Sequence, residues 1–243
     1  RGPARGEDLR FDLDITLEEA ATGLKKEIEI YHLDSCTRCK GSAAEPGSSK
    51  KTCDQCRGAG QVKHVQRTML GNFSQVSTCP RCSGSGQVIE KPCTGCNGRG
   101  LEKKKKKIKL DIPAGVQKGS KLRVSSEGNS GEGGGPSGDL FVFLGIKEHA
   151  YFNRDDDDIY LDIQVPMTQV VLGTKVSVPF LGGTATLKIP AGTQPNTLFK
   201  LKGKGVPHLR GFGSGDQYVR VNVMIPSTLS SKEKKLIQEI SDM

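Results

Sequence analysis

Hydrophobic and polar residues alternate with a period of two in several separate stretches. Leu9, Phe11, Leu13 and Ile15 alternate with Arg10, Asp12 and Asp14, and Ile108, Leu110 and Ile112 alternate with Lys107, Lys109 and Asp111. Val219, Val221, Val223 and Ile225 repeat the pattern near the end of the chain. Each stretch predicts a strand with one covered and one wet face. Thr16 and Glu19 have the spacing of a capping box, so a short helical turn is expected after the first strand, stopped by Gly23. Gly173 ends an equivalent turn. From Ser227 to Met243 the period becomes helical, with Leu236, Ile237 and Ile240 on one face and Ser230 with Glu233 as a second capping box. That apolar face needs a cover, either its own domain or a second copy of the chain.

The strands belong to a repeat. Asp111-Ile112-Pro113-Ala114-Gly115 matches Lys188-Ile189-Pro190-Ala191-Gly192 at an offset of 77, and Gly138-Asp139 meets Gly215-Asp216 at the same offset. Upstream, Leu9 to Ile15 resembles Ile159 to Val165, and Ile28 and Ile30 meet Val178 and Phe180, at an offset of 150. The offsets differ by 73 residues, so the first copy carries an insertion between two of its strands. The expected fold is mainly β: two tandem sandwich-like domains, a module inserted in the first, and a short C-terminal helix. The boundaries read as 7–34 plus 103–152 for the first domain, 35–102 for the insertion, 155–226 for the second domain and 227–243 for the tail.

The insertion holds the chemistry. All eight cysteines fall into C-x-x-C pairs, Cys36/Cys39, Cys53/Cys56, Cys79/Cys82 and Cys93/Cys96. One pair cannot complete a tetrahedral metal site, so two pairs must converge on each ion, giving two closed four-thiolate sites of the structural zinc type. Iron fits the same donor set. Three pairs are followed by Gly-x-Gly, where positive φ lets the backbone turn its N–H groups toward sulfur. The first pair has Ala43 at the second Gly position, which predicts a slightly reshaped knuckle with its ligands intact. The gaps between pairs are 13, 22 and 10 residues, and spacing leaves all three ways of matching the pairs open. A nested matching, first with fourth and second with third, would make the middle a hairpin and return the module to its point of departure.

Composition narrows the class. The 243 residues contain 34% hydrophobic and 5% aromatic residues, no Trp and 31 Gly, which argues against one large helical core. The longest nearly pure apolar run, Leu140–Ile146, falls far short of the roughly 18 residues a membrane helix needs. The net charge of +9 raises the question of nucleic acid. However, residues 35–107 hold 15 Lys/Arg against 4 Asp/Glu, so the basic character is local to the inserted module and the lysine run leaving it. No aromatic platform interleaves with it. Asp155 to Asp158 lacks the spacing of a calcium loop and reads as a solvated inter-domain turn, and Glu127 to Gly138 reads as a mobile Gly-rich connection.

The four cysteine units, the paired Ile-Pro-Ala-Gly phrases, Gly203-Lys204-Gly205-Val206-Pro207 and Arg210 to Asp216 together resemble the type A DnaJ co-chaperones, over essentially the whole chain. Glu90 to Gly100 and Gly71-Asn72-Phe73 look most like bacterial and organellar members. The resemblance implies a soluble protein of the bacterial cytoplasm or of an organelle matrix or stroma. It also implies two β substrate-binding domains and two zinc ions. Cys36, Cys39, Cys93 and Cys96 would hold the first zinc, and Cys53, Cys56, Cys79 and Cys82 the second. Clients would be exposed apolar segments of unfolded proteins, added as a strand to an edge carrying Ile28 and Ile30, with Leu13 and Phe152 lining a pocket. The implied partner is a DnaK-type chaperone, and the tail implies the start of a homodimerisation segment. No His-Pro-Asp occurs, so the chain is expected to hold clients without itself triggering that partner's ATPase, and Arg1 to Gly6 reads as the end of a Gly-rich linker. The chain is not expected to be an enzyme; the rival reading from the residues is a C-x-x-C thiol–disulfide oxidoreductase.

Overall fold

The period-two stretches form strands, and two capping boxes start two of the three α-helices among the described residues. The computed structural model describes residues 4–68 and 71–242. Arg1–Pro3 and Met243, from the expected linker and tail, lie outside them, as do the side chains of Gly71-Asn72-Phe73. In chain order the first elements are β1 (Leu9–Ile15), α1 (Leu17–Thr22), β2 (Leu24–Ser35), β3 (Lys50–Thr52), β4 (Gln61–Thr68) and β5 (Gly71–Thr78). Next come β6 (Gln87–Ile89), β7 (Leu101–Ile112), β8 (Lys121–Val124), β9 (Leu140–Ile146), β10 (Phe152–Asp155) and β11 (Asp158–Pro166). The last are α2 (Met167–Leu172), β12 (Thr174–Phe180), β13 (Gly183–Ile189), β14 (Thr197–Leu201), β15 (Gln217–Met224) and α3 (Ser231–Ser241). No helix among the described residues is long and apolar enough to cross a membrane.

Two compact units emerge. One comprises Arg1–Leu13, Glu27–Leu110 and Lys121–Leu144. It contains the ribbons β3-β6 and β4-β5 and most of the sheet β1-β9-β8 and of the ribbon β2-β7, all but two or three residues at one end of β1, β2, β7 and β9. Its alternating apolar positions are covered: Leu13, Ile28, Ile30, Ile108, Leu110, Leu140, Val142 and Leu144 are all buried. The other unit comprises Asp14–Lys26, Asp111–Ser120 and Gly145–Met243. It holds the sheet β10-β11-β15-β14 and the ribbon β12-β13, with β11 and β15 paired in parallel. Phe152, Ile159, Leu161, Val178, Ile189, Val206, Val219 and Val221 belong to its apolar core.

The helical turns form as patterned. Thr16 and Glu19 make both bonds of a capping box on α1, and Ser230 and Glu233 do the same on α3. The paired Ile-Pro-Ala-Gly phrases dock on the first two turns alike, Gly115 N–H donating to Ala20 O (2.8 Å) and Gly192 N–H to Val170 O (3.0 Å). Two loops differ from expectation. Asp155 to Asp158 is the tight hairpin between β10 and β11 rather than an inter-domain turn. Two of its four acids are engaged, Asp157 with His208 (2.7 Å) and Asp158 with the N–H of Asp216 (2.7 Å), while Asp155 and Asp156 are exposed. Glu127 to Gly138 is laced to its surroundings rather than free, because Gly128, Asn129, Ser130 and Gly138 all donate backbone hydrogen bonds.

Candidate metal centres and strand edge

The cysteine module is a nest. β2 and β7 enter and leave it, the ribbon β3-β6 lies between the two cysteine groups, and β4-β5 is the terminal hairpin. Cys36, Cys39, Cys93 and Cys96 converge in one group and Cys53, Cys56, Cys79 and Cys82 in the other, with the sulfurs of each group all within 4.8 Å. The nested matching is therefore the one the fold adopts. All eight thiols are free and buried.

Backbone bonds lock each pair of knuckles face to face. Cys53 N–H donates to Gly86 O (2.9 Å) and Cys79 N–H to Gly60 O (3.0 Å). In the other group Cys36 N–H donates to Gly100 O (2.9 Å) and Cys93 N–H to Ala43 O (2.9 Å). The trailing glycines then turn their N–H groups to sulfur: Gly60 to Cys56 (3.2 Å), Gly86 to Cys82 (3.3 Å) and Gly100 to Cys96 (3.1 Å). Glycine is required at 60 and 86, since a Cβ at either would lie 2.5 Å from a carbonyl oxygen of the facing knuckle. Ala43 takes the glycine role at φ 65°, keeping the knuckle shape in spite of its Cβ.

The donor set suits a tetrahedral cation. A centre about 2.3 Å from four sulfurs sets neighbouring sulfurs about 3.8 Å apart, and the separations are 3.7 Å for Cys39–Cys96, 3.9 Å for Cys53–Cys79 and 3.7 Å for Cys56–Cys82. A disulfide would need about 2.05 Å. The thiols split electrostatically. Burial pushes Cys56 up to about 11. Cys36 also rises to about 11: the Cys39 backbone N–H opposes the rise, but burial and the neighbouring thiols outweigh it. Burial also works on Cys82 and Cys39, yet the N–H groups of Gly86 and Gly84, and of Ala43, together with neighbouring thiols bring them down to about 7. Each group thus already favours negative charge at one sulfur, the state a bound cation requires.

The lysine run leaving the module is paired rather than open. Lys105 bonds Glu29, Lys104 bonds Asp34 (3.1 Å) and Glu102 (3.2 Å), Lys106 bonds Glu127 (2.6 Å) and Lys107 approaches Glu27 (3.5 Å). Lys103 lies over the Tyr31 ring at 4.9 Å. These five cations face carboxylates and a ring rather than standing unpaired.

The four residues expected at a peptide groove, Leu13, Ile28, Ile30 and Phe152, are all buried. Ile30 lines a hollow of about 280 Å³ with Leu9, Arg10, Phe11, Glu29, Tyr31 and Leu140. Phe152 lines a different one of about 470 Å³, in the other unit, with Leu17, Ile146 and His149 among its neighbours. Leu13 and Ile28 line neither of these hollows. Among the described residues β2 pairs with one strand, β7, and no strand pairs with its other edge. The equivalent place in the second copy is closed: Glu29 is matched by Pro179, which has no N–H, and the Pro179 carbonyl accepts the Nε2–H of the fully buried Gln217 (2.8 Å). Gln217 escaped the sequence reading because it interrupts an apolar pattern where the first copy has Leu140; that interruption was the available signal.

The family model of the DnaJ C terminal domain matches residues 9–226. Among curated proteins the chain is similar to "Chaperone protein DnaJ" of Acetivibrio thermocellus, 43% identical over all 243 residues. It is also similar to the proteins of the same name from Nostoc punctiforme, 48% identical over 99% of the chain, and Methanothermobacter thermautotrophicus, 45% identical over the full chain. The chain spans 63–64% of the length of these relatives.

Proposed function

The chain belongs to the DnaJ C-terminal domain family, and on that premise we propose that it is the client-binding part of a DnaJ-type co-chaperone. It holds extended apolar segments of unfolded proteins for transfer to a DnaK-type chaperone. The observation that carries this reading is the free edge of β2 beside an apolar hollow lined by Leu9, Phe11, Ile30 and Leu140. An incoming strand gains backbone hydrogen bonds that do not depend on its sequence, and the hollow selects bulky apolar side chains. Ile30 is assigned direct contact, Leu13 and Ile28 support the strand from its buried face, and Phe152 offers a contact through its own hollow.

Two structural zinc ions complete the module, the first held by Cys36, Cys39, Cys93 and Cys96 and the second by Cys53, Cys56, Cys79 and Cys82. A four-thiolate shell leaves no open position, so the metal supplies cross-linking rather than chemistry. The chain's own N–H donors and tight knuckles orient the thiolates and exclude water. Iron is the alternative occupant, and elemental analysis separates the two. Thiol–disulfide exchange is opposed by the geometry, since reactive cysteines need access and every sulfur is buried, Cys39 and Cys82 with their lowered pKa values included. We assign no reaction to the chain. The same reading makes the full-length protein a homodimer whose dimerisation segment starts in the tail that carries α3, with the two β domains and the inserted module bounded as the repeat predicts.

The test is suppression of aggregation of a chemically denatured protein by this chain and by its Ile30→Asp variant. The parent is expected to suppress aggregation and the variant to lose most of that effect while keeping its circular dichroism. Equal suppression by both would overturn the edge as the binding site.

A further inference from the structure

Backbone parity separates the two edges of β2. Directly after the strand, Cys36 N–H donates to Gly100 O (2.9 Å), the residue preceding β7. Even-numbered residues of β2 therefore turn their backbone groups to β7 and odd-numbered residues turn theirs to the free edge. Leu33 agrees. Its N–H donates to Asn129 Oδ1 (2.8 Å) and its carbonyl accepts the N–H of Ser130 (2.7 Å). Farther along the same edge come Tyr31, Glu29 and Glu27, whose backbone groups have no hydrogen-bond partner among the described residues.

Asn129 is fixed in place from two other directions. Its N–H donates to Glu7 O (3.0 Å), its carbonyl accepts Gly138 N–H (2.9 Å), and it is only 9% exposed. The second copy shows that the loop does not itself need this side chain. There Val206 N–H donates to Asp157 O (2.8 Å) and Gly215 N–H to Val206 O (2.9 Å), reproducing both backbone bonds. At the same offset, however, Asn129 is replaced by the wholly buried Val206, and Ser130 by Pro207, which has no N–H to give. The acceptor at 129 and the donor at 130 occur only in the copy whose strand edge is free.

We propose that Asn129 and Ser130 form a register stop. They pair with Leu33 as the end of an added strand would, so an extended apolar client pairs with Glu27, Glu29 and Tyr31 and advances no farther toward the cysteine module. This rests on the client-binding reading above and adds where the client must sit. The stop holds the client over the hollow between β2 and β1. At about 280 Å³ that hollow falls below the roughly 300–1,000 Å³ of pockets for drug-sized ligands, and it suits single bulky side chains of an extended chain.

Amide hydrogen exchange on the whole chain tests this, with a soluble Leu/Ile-rich peptide flanked by lysines as probe. Peptide at saturation is expected to slow the Glu29 and Tyr31 amides at least tenfold and to leave Leu33, already protected, unchanged. In Asn129→Ala the free chain should exchange Leu33 faster, and peptide should slow it again. Should that variant not fold, peptides of increasing length on the parent decide the same point: affinity rises until the probe reaches the residue opposite Tyr31, then levels off. New protection of Leu33 by peptide in the parent, or a further threefold gain from residues beyond Tyr31, overturns the stop while leaving client binding intact. Absence of peptide binding, or protection that avoids β2, overturns the client-binding reading and the stop with it.

Discussion

The N–H of Cys93 donates to the carbonyl of Ala43 at 2.9 Å, the same bond that each other knuckle makes to a glycine. Ala43 therefore holds a left-handed backbone, φ 65°, that its Cβ disfavours. Left-handed geometry costs an L-residue about 1–2 kcal/mol, and the greater freedom of glycine in the unfolded chain returns about 0.4–1 kcal/mol of that. Ala43→Gly should stabilise the module by up to about 1 kcal/mol, read as a higher denaturant midpoint of the metal-loaded chain.

Gly86→Ala should do the reverse. Its Cβ would lie 2.5 Å from Gly58 O, which is backbone and cannot swing aside. Forcing the knuckles apart should cost about 2–4 kcal/mol, the upper range for single substitutions. It should also speed metal loss from the second group to a chelator while leaving the first group's rate unchanged.

The nested grouping makes metal content a test against a sequential matching of the cysteine pairs. Cys36→Ser and Cys53→Ser alter different groups, so each should lower the metal bound from two ions per chain to one, and the double variant to none. If the pairs were matched sequentially instead, those two substitutions would strike the same site and the double variant would retain one ion. Elemental analysis of purified protein distinguishes the outcomes.

Asp139 and Asp216 occupy equivalent places in the two copies, and both carboxyls are held below the usual carboxylate range. For Asp139 the N–H of Ser126 is the main cause, followed by Arg123; for Asp216 it is Lys200, followed by the N–H of Gly203. A depressed folded-state value means that ionisation stabilises the fold. The contribution is full above the unfolded value of about 3.9 and disappears as pH falls through the folded values. Asp139→Asn should lower the melting temperature at pH 7, and the gap from the parent should close as pH drops below about 4.

Arg154 donates to Val116 O (2.7 Å), Gly115 O (3.3 Å) and Asp156 O (2.6 Å) with its side chain only 11% exposed. A lysine offers one flexible ammonium in place of that fork. Arg154→Lys should therefore leave carbonyls unsatisfied and cost about 1–3 kcal/mol in equilibrium unfolding.

Local signals were enough for much of this protein. Period-two stretches such as Leu9–Ile15 gave strands, Thr16 with Glu19 and Ser230 with Glu233 gave capped helices, and the shared phrases around Pro113 and Pro190 exposed the duplication. These features act over a few residues or repeat verbatim, so they can be read along the chain. Which cysteine pairs meet was different: spacing allowed three matchings, resemblance to a family favoured one, and only the fold brings Cys36 beside Cys93. The bond between Leu33 and Asn129 joins residues 96 apart, and nothing in the Gly-rich segment signals that its loop closes on a strand edge. Gln217 and Pro179, 38 apart, close the second copy in the same hidden way. Periodicity reports which face of an element is buried; which element covers it, and which edge is left open, is decided by long-range packing that local pattern does not encode.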